Sequence, residues 1–360
     1  MNEVALKFLQ RLARGEELLD VRAPIEFAAG HFPGTFNLPL LNNEERAAVG
    51  TAYKQEGADA ALRLGQQLVA GEVRQSRVDA WINFLSDRPN AKICCFRGGL
   101  RSQLVQAELR KHGIDREIIP GGYKALRQAS VDILAKFDLP IMVLGGLTGS
   151  GKTELLASQT HLDLEAAAEH RGSAFGARGL TSPHQAVFEN RVALQILRAS
   201  SHSNPIWIED ESRTIGRLVL PPHLFQRMQE AKLAVIEVPR TERAQRLTRQ
   251  YLQEMFAAED GARPNEARLR EIQFSLNSKL QQLQKRLGGL ETQRLSEQLA
   301  ESIRGFALSG EFACFWTWVE RLLEVYYDPM YLRHLDQNRD RIVFRGNHEE
   351  WKTWSRSPRV

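Results

Sequence analysis

The 360-residue sequence predicts an α/β protein of two parallel-sheet domains, the second carrying a helical extension. Three observations predict it. Short apolar strands run into glycine-rich loops twice, at residues 91–95 and 141–146, and each loop leads into a helical stretch. The chain is a little over two average domain lengths, so each half is long enough to bury its own core. Beyond the last strand signal, Leu269, Ile272, Leu276, Leu280, Leu283 and Leu287 recur at spacings of three and four, as one apolar helix face does.

Taken in order, residues 17–21 read as the first strand and residues 42–71, rich in Ala, Leu, Gln and charge, as a helical insertion beside the sheet. The strand at 91–95 precedes a helix at 103–112. Asp138-Leu139-Pro140 marks the boundary, because proline disfavours continuing the preceding helix. Strands follow at 141–146, at 205–208, which ends in Glu209-Asp210-Glu211, and at 233–238, which stops at Pro239. From there to about residue 305 the pattern is helical and broken at Gly288-Gly289, which predicts a hairpin over about 240–305. The expected division is a domain at 1–138, a second at 139–332 and a C-terminal tail at 333–360.

Composition sets limits. With 42% apolar and 26% charged residues the chain is globular rather than disordered. No window approaches 18 uninterrupted apolar residues, so no membrane span or association is expected. Three cysteines, two of them adjacent, cannot form a closed disulfide set and point to free thiols in a cytoplasmic, reducing compartment. The net charge of +4 is spread over both halves; it permits an anionic partner without marking either half as a nucleic-acid module.

Cys95-Phe96-Arg97-Gly98-Gly99-Leu100-Arg101-Ser102 stands where a strand gives way to a helix. Gly98 and Gly99 let the loop curl with its amides inward, and Arg97, Arg101 and the helix N-terminus add positive potential, a setting that favours a thiolate. Cys95 is therefore the candidate nucleophile, whereas Cys94 and Cys314 read as buried core residues.

Gly146-Leu147-Thr148-Gly149-Ser150-Gly151-Lys152-Thr153 matches the phosphate-loop pattern in full, after a strand and before a helix. Gly146, Gly149, Ser150 and Gly151 line the loop, Lys152 supplies a point charge, Thr153 offers a hydroxyl to Mg²⁺, and the helix N-terminus is expected to add its dipole. Asp210 or Glu209, after the later strand, are candidates to hold Mg²⁺, with Asp210 and Thr153 favoured as the metal pair. Asp163 and Glu165 are further acid/base or Mg²⁺-linked candidates. Arg240, Arg243, Arg246 and Arg249 recur every three residues, which fits a phosphate lid, an RNA track or a solvated helix face. The tail mixes Trp351, Trp354, Lys352, Arg356 and Arg359, a composition suited to nucleic acid or to a flexible end.

Asp20-Val21-Arg22, Glu26-Phe27, Gly30-His31, Pro33-Gly34 and Asn37-Leu38-Pro39, together with Cys95, resemble a rhodanese domain. The resemblance implies a rhodanese-like first domain with Asp20 and Arg22 structural and Cys95 in the place of the persulfide-forming cysteine. Further stretches extend the likeness. They include Val49-Gly50-Thr51, Gly121-Gly122-Tyr123-Lys124, His170 to Gly176, Glu209 to Arg213 and Tyr326 to Tyr331. From Leu19 to about Leu332 the chain resembles the bacterial tRNA 2-selenouridine synthase family, in which a rhodanese-like domain precedes a P-loop NTPase-like α/β domain.

That resemblance implies a two-step exchange at the 2-position of the wobble uridine in tRNAs for Lys, Glu and Gln. The 2-thiouridine is S-geranylated by geranyl diphosphate, and selenophosphate, delivered by a supplying enzyme, then brings selenium that displaces the geranylthio group. Cys95 would carry selenium as a selenenylsulfide. His170, Arg171 and Ser173 become candidate phosphate or base contacts, and any use of ATP or GTP stays open. A sulfurtransferase coupled to an NTP-driven kinase with a non-RNA acceptor is the competing enzyme reading. A nucleotide-sensing module is the non-enzymatic one.

Overall fold

The structure is a computed structural model that describes residues 2–170, 182–202, 204–256 and 264–356. Strands β1 (Leu18–Asp20), β2 (Thr35–Asn37) and β3 (Lys92–Cys94) form a parallel sheet in the order β2-β1-β3. All three residues of β1 are buried, as a central parallel strand covered on both faces requires. Helices Asn43–Glu56, Ala58–Leu68 and Gly71–Ser86 fill the stretch between β2 and β3. The predicted helical insertion is therefore real and longer than expected.

The second sheet contains β4 (Ile141–Gly146), β5 (His161–Leu162) and β6 (Ile206–Glu209). The chain then makes a small antiparallel hairpin, β7 (Thr214–Ile215) and β8 (Leu218–Val219), and returns as β9 (Lys232–Ile236) and β10 (Ile342–Gly346). The five sheet strands are parallel in the order β10-β9-β4-β6-β5. After β4 the chain steps out to the edge strand β5, returns to insert β6 between β5 and β4, and then crosses to the other side of β4. The loop following β4 thus sits where the strand order reverses, the place where open α/β sheets bind ligands.

Two expectations need correction. The C-terminal segment is not a separate tail: β10 pairs with β9 in register Arg345 with Val235 and Gly346 with Ile236. Behind it, Trp351 is fully buried, edge-on to Trp207 of β6 with ring centroids 5.4 Å apart. An indole of that size withdrawn from water is a major stabilising term for the sheet. Trp351 thus serves the core, and the half-buried Trp354 packs beside it on Trp207 and Phe344.

Nor does each half keep its core to itself. Helices Glu3–Ala13 and Gly122–Lys136 of the first half pack on helix Gln185–Ala199 of the second, so that Phe8, Leu126, Phe188 and Val192 belong to one continuous apolar cluster. Asn190 Nδ2 donates to the His31 carbonyl at 3.0 Å and Arg198 Nε to the Ala13 carbonyl at 2.7 Å across the same seam. Such a seam fixes the orientation of the two sheets, which a flexible linker could not do.

The helical extension runs through Arg240–Leu247, a π-helical turn at Thr248–Gln253, and a hairpin of Glu266–Leu287 and Gly289–Ser309. Leu269, Ile272, Leu276, Leu280 and Leu283 of the predicted stripe are buried in it. The hairpin packs on Trp316–Leu322, a second π turn at Leu323–Tyr327 and helix Asp328–Gln337. No helix among the described residues is long and apolar enough to cross a membrane.

Candidate active site

The phosphate loop leaves β4 with three glycines at positive φ, at Gly146, Gly149 and Gly151. At Gly146 the need for glycine is also steric, since a Cβ there would lie 2.7 Å from the Ile236 carbonyl oxygen. The helix that follows, Lys152–Leu156, has only five residues, so its dipole is weaker than expected and the loop amides and Lys152 carry most of the anion-binding potential. Lys152 Nζ donates to the Gly146 carbonyl at 3.2 Å, folded back over the loop. Ser150 Oγ is buried without a hydrogen-bond partner among the described residues.

Carboxylates face this loop. Thr153 Oγ1 donates to Glu209 Oε1 at 2.6 Å, and oxygens of Glu165, Glu209 and Glu211 lie within 4.8 Å of one another. Burial, then the neighbouring charges of Glu165 and Glu209, push the Glu211 carboxyl well above the usual carboxylate range, with Lys152 opposing. Burial likewise disfavours the Lys152 ammonium, but Glu209, Tyr331, Glu211 and Glu165 outweigh it and hold its pKa above the ordinary lysine value. Three crowded carboxylates beside a threonine hydroxyl make an oxygen-only donor set that suits a hard divalent cation.

The favoured metal pair is therefore corrected. Asp210 Oδ2 accepts from His334 Nε2 at 2.9 Å, and its carboxylate is spent there. Successive residues at the end of a strand point to opposite faces, so Glu209 and Glu211 share the phosphate side while Asp210 does not. Asp163 is also removed from the metal set: its Oδ1 accepts from the Ala166 amide as a helix N-cap. Glu165 stays in the cluster. The Asp210 hydrogen bond raises the His334 pKa against the opposing effect of burial. A histidine with a raised folded pKa lends stability that is complete below about pH 6.5 and lost as pH rises through the folded value. We expect the melting temperature to fall across that window and a His334→Gln variant to flatten the fall. Because His334 is partly exposed, the effect should stay below about 1 kcal/mol.

The arginine stripe is mostly consumed within the protein. Arg243 is 2% exposed, and its guanidinium makes two bonds of 2.8 Å to Asp328 and another to the Thr148 carbonyl of the phosphate loop. Arg240 pairs with Glu324 and Asp328, and Arg246 with Glu154. Arg249 Nε donates to the Gln245 carbonyl at 3.5 Å. An RNA track through all four is thus excluded for Arg243, which braces the loop from behind. Arg243→Ala should leave the buried Asp328 carboxylate only its longer contact with the more exposed Arg240 and cost about 3 kcal/mol; urea unfolding reads this, and a loss under about 1 kcal/mol would contradict it.

The cysteine loop is built by crossing backbones. Gly98 and Gly122 both have positive φ, and a Cβ on Gly122 would meet the Cys95 carbonyl, Gly98 N and Arg97 N. The Tyr123 and Lys124 amides donate to the carbonyls of Cys95 and Phe96, each at 2.9 Å. Arg22, bound to Asp20 through buried hydrogen bonds, lies 3.9 Å from the Tyr123 ring centre. Asp20 and Arg22 thus support the loop structurally. Arg101 Nη1 donates to Glu26 at 2.5 Å and Arg97 lies over Phe96, so neither guanidinium is given wholly to the sulfur. Gly99 begins the following helix, Leu100–Lys111. Cys95 itself is 3% exposed with Sγ 4.0 Å from the Gly99 carbonyl, so a reaction partner reaches it only by moving part of the loop. Burial pushes the Cys94 thiol well up, in keeping with a core residue.

His170 packs on Gly216, and burial lowers its pKa. Arg171 and Ser173 lie outside the described residues. Glu211, Tyr331 and the contact from His348 Nε2 to the Ser150 carbonyl at 2.6 Å were not singled out as site features from sequence. The same-face spacing of Glu209 and Glu211 was the available signal for the first.

A parallel sheet, a full glycine loop at its switch point, and a lysine–threonine pair facing carboxylates define a P-loop phosphate-binding enzyme domain. A protein-family model described as "tRNA 2-selenouridine synthase AAA domain" matches residues 139–359, which includes β10 and the helix behind it. A relative named tRNA 2-selenouridine synthase from Cronobacter sakazakii is 43% identical over 97% of this chain and 94% of its own length. One of the same name from Shewanella sediminis is 40% identical, over 94% and 93%. The chain belongs to the tRNA 2-selenouridine synthase family. A solved structure of the N-terminal domain of an ATP/GTP binding protein from Clostridium difficile 630 is 29% identical, covering 32% of this chain and 88% of its own. Its TM-score of 0.29 is too low for a shared fold to be read from it.

Proposed function

We propose that this protein is a cytoplasmic tRNA-modifying transferase that replaces sulfur by selenium at the 2-position of wobble 2-thiouridine, working through an S-geranylated intermediate. The observation that carries the reading is the joining, in one chain of this family, of a diphosphate-sized anion site to a glycine-walled cysteine loop at the end of a first parallel sheet. In the first step the sulfur of the base attacks C1 of geranyl diphosphate. The C1–O bond breaks, pyrophosphate leaves with the electron pair, and the base loses its N3 proton.

Lys152 and the loop amides receive the charge that develops on the departing pyrophosphate. Glu165, Glu209, Glu211 and Thr153 are the residues that would hold Mg²⁺, which when bound neutralises diphosphate charge. In the second step the selenium of selenophosphate attacks C2, the C2–S bond breaks and the geranylthio group takes up a proton and leaves as the thiol, and water then cleaves the Se–P bond to release phosphate. Cys95 is the residue assigned to chalcogen handling in this step. Alkylation matters because it converts a poorly leaving thiocarbonyl sulfur into a neutral thioether-like one.

The tRNAs proposed as substrates are those for Lys, Glu and Gln. With Arg243 turned inward, their phosphates fall to dispersed Lys and Arg, so affinity should drop steeply with salt. Mass analysis of wobble nucleosides in cells lacking the protein tests the function: 2-selenouridine should vanish, and its persistence would favour the sulfurtransferase or sensing readings.

A further inference from the structure

Beside the phosphate site lies a second cavity of opposite character. The phosphate cavity measures about 230 Å³ and is walled by Lys152, Thr153 and the three carboxylates. Its neighbour measures about 60 Å³ and is walled by Leu252, Met255, Leu276, Trp318, Val319 and Leu322 among others. The two share Thr148, Leu247, Tyr251 and Tyr327, so the apolar space opens directly off the anion site. The Trp318 indole N–H is already spent on the Leu295 carbonyl at 3.0 Å and turns no donor toward it.

A second, independent feature marks the same place. The two π-helical turns among the described residues, Thr248–Gln253 and Leu323–Tyr327, both wall this cavity, through Tyr251 and Leu252 on one side and Leu323 and Tyr327 on the other. π turns are rare and sit disproportionately at functional sites, because they widen a helix locally at a cost to its hydrogen bonding. Packing alone supplies no reason for two of them to meet.

We propose that this cavity binds the prenyl chain of an allylic diphosphate whose head group sits on the phosphate loop. The assignment rests on the reading of geranyl diphosphate as a substrate and names the residues that select it. A nucleotide would need hydrogen-bond partners where this cavity offers methyl groups and ring faces, whereas a ten-carbon isoprenoid needs only exclusion of water. The cavity is smaller than the roughly 300–1,000 Å³ of typical ligand sites. Entry of the chain therefore requires side chains to move, and Met255, unbranched and adaptable, is the one suited to do so. Gly149 fits the same geometry: a Cβ there would press on Leu247, at the junction of the two cavities.

The test compares binding of geranyl diphosphate with that of inorganic pyrophosphate, and prenyl transfer from five-, ten- and fifteen-carbon allylic diphosphates. The unaltered protein should favour the ten-carbon over the five-carbon substrate by on the order of a hundredfold or more, as burial of five further carbons implies. Val319→Phe, which fills the cavity, should lower geranyl diphosphate affinity at least tenfold and leave pyrophosphate affinity unchanged. Leu322→Ala should improve the fifteen-carbon substrate relative to the ten-carbon one, and it decides the matter if the bulkier variant fails to fold. Geranyl diphosphate binding no better than pyrophosphate, or chain-length ratios unmoved in the folded variants, would overturn the assignment. A chain-dependent affinity lost in Val319→Phe, with no transfer to 2-thiouridine tRNA by the unaltered protein, would instead uphold the cavity and overturn the proposed reaction.

Discussion

Replacing Lys152 with Ala is expected to abolish prenyl transfer, and selenation with it, while the protein stays folded. Lys152 is bent back to the Gly146 carbonyl and surrounded by Glu209, Glu211, Glu165 and Tyr331, which keep it charged. Removing one preorganised positive group aimed at developing negative charge costs on the order of 3 kcal/mol or more, a rate loss of at least a hundredfold. Single-turnover formation of the geranylated nucleoside, with folding checked by thermal melting and tRNA binding by titration, reads the effect. A loss below tenfold would mean that Lys152 does not meet the leaving group.

Replacing Cys95 with Ser is expected to do something different. The hydroxyl fills nearly the same space in the loop held by Gly122, Tyr123 and Lys124, so the fold should survive. What is lost is a polarizable, nucleophilic sulfur. Selenium delivery should fall by at least a hundredfold while the geranylated intermediate still forms and accumulates. Full selenation by this variant would eliminate the role of Cys95. If both variants abolished geranylation equally, the two loops would act in one shared site rather than in successive steps.

What was legible in the sequence was contiguous. Each of the two loops is a single run of residues between a strand and a helix, so its backbone geometry is set locally and the motif carries it. The leucine stripe was legible for the same reason, because helix periodicity is local. What was missed depends on partners far apart in the chain. Asp210 and Glu211 are both carboxylates just past the end of β6, and only the folded chain shows Asp210 bound to His334 and Glu211 near Lys152. Arg243 has the spacing of an exposed stripe, yet its partner Asp328 lies 85 positions on.

The tail was misread because β10 is an edge strand whose alternate residues are exposed, so no apolar run announced it. Edge strands are also where charged residues such as Arg345 belong. The seam between the halves, from Phe8 and Leu126 to Phe188, left no periodic sign of which surfaces meet. The cavity walled by two π turns had no sequence signal either, since a π turn inserts one residue into a helix without changing the kinds of residue that compose it.

The account turns most directly on what the purified protein makes from 2-thiouridine tRNA. Incubation with geranyl diphosphate alone should give the S-geranylated nucleoside by mass, and later addition of selenophosphate should convert that same pool to 2-selenouridine with release of geranylthiol. Production of 2-selenouridine from selenophosphate with geranyl diphosphate absent, or no change in the nucleoside under either condition, would contradict it.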